Sequence, residues 1–202
     1  MSWKKPTAGI VLAAGLSQRF KGTKLLAKFK GKYLLEWVLD DALDSKLDRL
    51  ILVLGHDAES IRAALKHKID NPRLQVVVHP HFGEGLSRSL CAGLAAVQAS
   101  HPSVMFLLGD QPMVGTATLN LLLSRFWRSP KDICVPVCRG RRGNPVLFSR
   151  NFYARVLSLT GDIGARHLIL EYPEQVLAVE IHDPLCFIDI DTRAELKRLA
   201  TA

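Results

Sequence analysis

Five short apolar runs pace the first two thirds of the chain: AGIVLAA (8 to 14), RLILVLG (49 to 55), LQVVVHP (74 to 80), SVMFLLGD (103 to 110) and DICVPVC (132 to 138). Each has the length and the Val, Ile and Leu content of a strand buried on both faces. Between them, apolar residues recur with helical spacing over 33 to 44, 58 to 66, 86 to 98 and 118 to 127. Strands that alternate with helices have room only for crossover connections. The pattern therefore predicts the α/β class, three layers deep, with a mixed, mostly parallel sheet and helices on both faces. After Cys138 the rhythm changes. Short strands are expected at 145 to 149, 175 to 181 and 185 to 190, with helices at 165 to 170 and 193 to 199, so the last third should add antiparallel strands and substrate-contacting loops. No repeat, low-complexity tract or linker divides the chain, which reads as one domain over 1–202.

Composition narrows the function. With 202 residues and 48% hydrophobic content there is material for one sizeable core. Charges interrupt every apolar run before it reaches the roughly 18 residues that span a bilayer, so a soluble protein without a membrane partner is expected. Lys4-Lys5 followed by the uncharged stretch 8 to 16 superficially resembles a secretory leader, but Gly9 and Gly15 interrupt it and no clean cleavage site follows. The expected location is cytoplasmic. Cys91, Cys134, Cys138 and Cys186 form no Cys-x-x-Cys pair and fit core thiols in a reducing compartment. His79 and His81 lack a third metal ligand nearby and read as loop histidines. The net charge of +8 points to an anionic partner. The positives gather as Arg19, Lys21, Lys24, Lys28, Lys30 and Lys32, and again as Arg139, Arg141 and Arg142, with few interleaved aromatics. A small phosphorylated ligand explains that clustering at least as well as nucleic acid, whose bases need stacking platforms.

In open α/β sheets, ligands collect beyond the carboxyl ends of the strands. Three stretches should share that rim: the loop LAAGLSQRFKGTK (12 to 24), the loop 83 to 89, and Gly109-Asp110-Gln111-Pro112. The opening loop is neither a dinucleotide fingerprint nor a P-loop, since its glycines Gly15 and Gly22 are separated by six residues rather than four and Thr23 precedes Lys24. What it offers is backbone amides, Ser17, Arg19 and Lys24, a set able to grip a triphosphate. Asp110, released at the end of a buried strand, reads either as a ligand for a hard cation or as a cap for the next helix. Asp189 and Asp191, two apart in IDIDT, would share one side of a strand and could complete a metal site, unless Asp191 caps the helix beginning near Arg193.

LAAGLSQRFKGTKLL resembles the signature of the MobA-like nucleotidyltransferases, a branch of the glycosyltransferase-A-like superfamily. GEGLSRSLCAGL, LLGDQPMV, RGRRGNPVLF, LTGDIGARHLI and FIDIDTRAEL are similar, in order and spacing, to the molybdenum cofactor cytidylyltransferases. The resemblance implies a Rossmann-like fold, with a nucleotide-binding half at about 8–130 and an acceptor-binding half at about 131–202. It implies that CMP is transferred from CTP to the phosphate of the molybdopterin cofactor, with release of pyrophosphate and with Mg2+ as cofactor. It leaves a recipient molybdoenzyme or its maturation chaperone as a further candidate partner. By the same analogy Arg19, Lys24 and Asp110 are catalytic. Leu12, Ala13, Ala14, Gly15, Arg19, Lys24, Gly85, Ser87 and Ser89 would bind nucleotide, and Gly143, Asn144, Gly161, Asp162, Gly164 and Arg166 the acceptor. Asp110, with Asp191 ranked ahead of Asp189, would hold the metal. Guanine-using relatives carry LAGG where this chain has Leu12-Ala13-Ala14-Gly15. His79, Asn144 and Phe20 depart from the Asn, His and Met common in the family. The alternatives are a related enzyme using GTP or a sugar or polyol phosphate, and a molybdenum-cofactor-binding chaperone without turnover.

Overall fold

The computed structural model describes residues 5–15, 20, 22–80, 83, 85–162 and 164–201. Its centre is strand β1 (Thr7–Ala13), all seven residues of which are buried. β1 pairs in parallel with β4 (Arg49–Leu54) on one side and β6 (Ser103–Leu108) on the other. Beyond β4 lies β5 (Leu74–Val78), again parallel. On the other flank β9 (Val146–Ser149) runs antiparallel between β6 and β7 (Ile133–Cys138), and β10 (Val176–Glu180) closes that edge parallel to β7. A two-residue strand, β8 (Arg141–Arg142), folds back on β7. The sheet is thus mixed and mostly parallel, as expected. The late antiparallel strands are β8 and β9, whereas β10 is parallel.

The period of two along each central strand sorts its side chains between two cores. Val11 and Ala13 of β1, Leu50, Leu52 and Leu54 of β4, and Met105 and Leu107 of β6 face helices α1 (Leu34–Asp44), α2 (Ala58–Ala64) and α5 (Thr116–Trp127). Ala8, Ile10 and Leu12, Ile51 and Val53, and Val104 and Phe106 face α4 (Leu86–Ala95), α6 (Tyr153–Leu157) and α7 (Arg166–Glu171). The expected helix over 58 to 66 breaks at Leu65, and a single turn, α3 (Lys66–Ile69), completes it. Cys134 and Cys138 are both buried free thiols, and burial pushes the Cys134 thiol up to about 12. No helix among the described residues is long and apolar enough to cross a membrane.

A third, smaller core positions the site. Phe20, Phe29 of the β2 (Lys28–Phe29) and β3 (Lys32–Tyr33) hairpin, Leu34, Ile190 and Leu199 of α8 (Arg193–Thr201) pack together. One expectation fails here. Residues 185 to 190 form no strand: Pro184–Phe187 is a 3-10 turn capped by Asp183, whose side chain accepts from the Leu185 amide. Pro184 explains the difference, since its fixed φ suits the first turn of a helix and it has no N–H for a ladder.

Candidate active site

The parallel register places the ends of β1 and β6 side by side. Leu12 is aligned with Leu108, and the Gly109 amide donates to the Leu12 carbonyl at 3.0 Å. Asp110 therefore emerges beside Ala14 and Gly15. Opposite them a 3-10 turn, Lys24–Leu26, buries Leu25 and carries Lys24. The Lys24 ammonium donates to Asp110 Oδ2 at 2.6 Å and to Asp191 Oδ1 at 3.0 Å. Burial works against the charge on Lys24, but Asp110 and Asp191 outweigh it, and the ammonium pKa is raised.

The backbone fixes this convergence. Ile190 is fully buried and its amide donates to the Asp110 carbonyl at 3.2 Å, so the segment flanking Ile190 is laid against the Asp110 turn. The two neighbouring carboxylates then part company. Asp191 reaches Lys24, whereas Asp189 accepts from Gln111 Nε2 at 2.8 Å. Burial, with Asp110 nearby, pushes the Asp189 carboxyl up, and the Gln111 bond offsets part of that rise.

Neither aspartate is a helix cap. The first amide of α5 is satisfied by Asp41 Oδ1, which accepts from Thr116 N at 3.0 Å. At α8, Thr192 Oγ1 accepts from Glu195 N, and Glu195 Oε2 accepts from the amides of Thr192 and Asp191. This is a capping box, readable in the sequence as Thr192-Arg193-Ala194-Glu195 and passed over there. Thr192 and Glu195 supply the capping box of this helix, and the Asp191 side chain accepts from Lys24.

Two cavities open at this rim. The first, of about 610 Å³, is lined by Leu12, Ala13, Ala14 and Gly15, by Lys24 and Asp110, and by Gly85, Ser89 and Asp162. The second, of about 640 Å³, is lined by Arg141, Arg142, Gly143 and Asn144 from the turn after β7, by Gly164 and Arg166 at the start of α7, and by apolar side chains including Phe106. Leu12, Leu86 and Leu108 line both, so one row of leucines is their common wall. Three arginines and no acid line the second cavity among the described residues.

Most sequence-predicted residues lie in these walls, with exceptions. Arg19 lies outside the described residues, as do Ser17 and His81. Ser87 lines neither cavity. It is fully buried, and its hydroxyl donates to the Gly161 carbonyl at 2.7 Å. Gly161 is thus the other half of a joint, and Asp162 lies in the first cavity rather than in the one that holds Arg166. Arg141 and Arg142, prominent as charge in the sequence, are additional lining residues that motif reading alone left unassigned.

Gly85 makes the joint possible. Its φ is +102°, and a Cβ there would lie 2.4 Å from the Gly161 carbonyl oxygen, a backbone atom that cannot swing aside. Gly85→Ala is expected to destabilise the fold by about 1 to 3 kcal/mol and to weaken ligand binding in the first cavity. Thermal melts and nucleotide titrations check it; unchanged values in both would contradict the joint.

The donor set suits a hard divalent cation. Asp110 and Asp191 come from different elements and already enclose one positive charge, the Lys24 ammonium. Among the described residues no group of three or more His, Cys, Asp or Glu could hold a metal alone. A cation held by Asp110 and Asp191 would need a bound ligand or water to complete its shell.

Residues 9–176 match the family model of the MobA-like NTP transferase domain. The chain belongs to that family. Among curated relatives of this nucleotidyltransferase family, nicotine blue oxidoreductase of Paenarthrobacter nicotinovorans is 27% identical over 200 residues, covering 95% of each chain. The purine catabolism protein PucB of Bacillus subtilis (strain 168) is 29% identical over 192 residues, 93% of this chain and 92% of PucB. Among solved structures, Rv0371c from Mycobacterium tuberculosis H37Rv superposes with a TM-score of 0.86 at 30% identity over the whole of both chains. A complex of that protein with manganese gives a TM-score of 0.80 at 31% identity, covering 98% of this chain and all of the other.

Proposed function

We propose that this MobA-like protein is a cytidylyltransferase that moves CMP from CTP to the terminal phosphate of a molybdopterin-type cofactor. The observation that carries the reading is the pair of cavities with one leucine wall: one holds Lys24 and two carboxylates at its rim, the other holds three arginines over an apolar floor. A triphosphate would lie beside Gly15 with Lys24, and with Arg19 by the family resemblance, on its phosphates. The acceptor's anionic end would lie among Arg141, Arg142 and Arg166, whose forks suit phosphate. An acceptor phosphate oxygen attacks the α-phosphorus, the bond to the bridging oxygen breaks, and pyrophosphate leaves. No covalent enzyme intermediate is needed, so alignment and charge neutralisation supply the catalysis.

Asp110 and Asp191 would hold a divalent cation, magnesium or the manganese found with Rv0371c, and that ion would neutralise charge on the triphosphate oxygens. Gln111 holds Asp189 aside from this pair, which favours Asp191 as second ligand. On this reading the chain is one domain, with a nucleotide-binding half over about 8–130 and an acceptor-binding half over about 131–202. The halves interlock, since Leu12 reaches the acceptor cavity and Asp162 the nucleotide cavity.

Ala14 supports a pyrimidine. Its methyl group lines the nucleotide cavity where guanine-using relatives carry glycine, and it takes space that a purine's second ring needs. One methyl discriminates by only about 1 to 3 kcal/mol. Specificity constants for pyrophosphate release with CTP, GTP, ATP and UTP, purified cofactor as acceptor, test the proposal. CTP is expected to lead, and Ala14→Gly to raise GTP use without making it preferred. A wild-type preference for GTP would overturn the cytidylyl reading, and no release with any nucleotide would favour a cofactor carrier.

A further inference from the structure

We propose that Asp162 reads the nucleobase, accepting a hydrogen bond from an amino-bearing base edge so that the nucleotide cavity takes an amino-pyrimidine and rejects its oxo counterpart. This rests on the reading that the cavity holds a nucleoside triphosphate. The motif LTGDIGAR suggests an acceptor role for Asp162, but the residue shares a cavity with Ala14, Gly85 and Ser89.

Its orientation is set by three bonds to the start of α4. The Leu86 amide donates to Asp162 Oδ1 at 3.2 Å, and the Ser87 amide and hydroxyl both donate to the preceding Gly161 carbonyl, at 3.3 and 2.7 Å. The close approach of Gly85 presses the same peptide unit into place. One carboxylate oxygen is thereby engaged with backbone, and the other has no partner among the described residues. An ionised carboxylate can only accept. Asp162 is exposed to the open cavity, so water can solvate that oxygen, and a ligand that displaces the water is favoured if it brings a donor to this wall.

Charge excludes the phosphates from that role. Lys24 is the only cation among the described residues lining this cavity, and its ammonium is held by Asp110 and Asp191. A triphosphate tail near Asp162 would meet like charge without compensation, so the base faces it. Cytosine presents a 4-amino donor where uracil presents a 4-oxo acceptor, and carboxylates pair with the former. Adenine and guanine also carry amino groups, but Ala14 opposes the purine ring. Selection is divided between the two residues, with Ala14 discriminating by size and Asp162 by hydrogen-bond sense.

The same contacts also give Asp162 a plainer role, since a carboxylate at the first turn of α4 stabilises that helix. Asp162→Asn separates the two. Asparagine keeps an oxygen for the Leu86 amide and offers an NH2 group to the cavity, which reverses the hydrogen-bonding sense towards the base. Calorimetric titrations of wild type and Asp162→Asn with non-hydrolysable CTP and UTP analogues and magnesium give the test. The ratio of CTP to UTP affinity is expected to favour CTP in the wild type and to fall about ten-fold or more in the variant, with UTP binding gained in absolute terms. An unchanged ratio, or equal losses for both nucleotides, would assign Asp162 to the helix alone. Wild-type protein that binds CTP and UTP equally would overturn base reading by Asp162 while leaving the nucleotide site standing. Protein that binds neither would overturn the nucleotide reading itself.

Discussion

Asp110→Asn is expected to cut metal-dependent pyrophosphate release by roughly a hundred- to a thousand-fold, the cost of one preorganised charge-stabilising contact, while the thermal midpoint stays within a few degrees of wild type. The separation of effects follows from what each part of Asp110 touches. Its carbonyl accepts from Ile190, and the preceding Gly109 amide donates to Leu12, so the backbone that locks the turn is untouched by the substitution. Its side chain touches Lys24, and α5 takes its cap from Asp41 instead. Asparagine has the same shape and keeps one oxygen, but loses the negative charge that a divalent cation requires. Asp191→Asn should behave alike. Asp189→Asn should cost much less, since Asp189 is turned towards Gln111. An active, folded Asp110→Asn protein would contradict metal ligation, and an Asp189→Asn variant weaker than Asp191→Asn would exchange the roles of that pair.

The layers of the fold were legible because buried parallel strands leave a signal that little else mimics. AGIVLAA and SVMFLLGD are short, apolar on both faces and followed by loop residues, and they became β1 and β6 with Gly15 and Asp110 at their ends. The region from 184 to 191 was less legible. LCFIDI is short and apolar like a strand, but its apolar residues serve another purpose: Cys186 and Ile190 are buried in separate cores, one beneath α5 and one beneath α8. The pattern records burial, and burial does not require a ladder. Asp189 and Asp191 consequently diverge, where a strand would have aligned them. Motif order also did not disclose which cavity Asp162 lines. Its neighbours Gly164 and Arg166 do line the second cavity, but Gly161 and Asp162 are drawn the other way by Ser87 and Leu86, seventy-odd residues earlier in the chain. Such tertiary joints have no local signature. A positive-φ glycine pressed against a distant carbonyl looks, in sequence, like any loop glycine.

Lys24→Met is expected to do two opposite things. It should lower turnover by a few hundred-fold, roughly 3 kcal/mol of transition-state stabilisation, and it should raise the response of the nucleotide-free protein to magnesium or manganese. The second effect comes from the site's resting electrostatics. In the structure the ammonium bridges Asp110 Oδ2 and Asp191 Oδ1, and it would compete for them with the proposed cation. Removing the ammonium takes away the positive charge that bridges the two carboxylates, and a divalent ion can take its place. The raised pKa of Lys24 sets the pH range. A lysine whose folded pKa lies above its ordinary 10.5 contributes fully below that value and loses its contribution only as pH rises through the higher one, so both effects should be constant across neutral pH. The catalytic loss would have a different origin: on the proposed reading Lys24 would serve the triphosphate, where charge grows as the bond to pyrophosphate breaks. Thermal shifts with increasing magnesium, in the absence of nucleotide, should be larger for Lys24→Met than for wild type, and single-turnover rates with nucleotide much smaller. Equal shifts in the two proteins would mean that Asp110 and Asp191 do not hold the metal. Near-wild-type turnover in the variant would reduce Lys24 to a counter-ion for two aspartates.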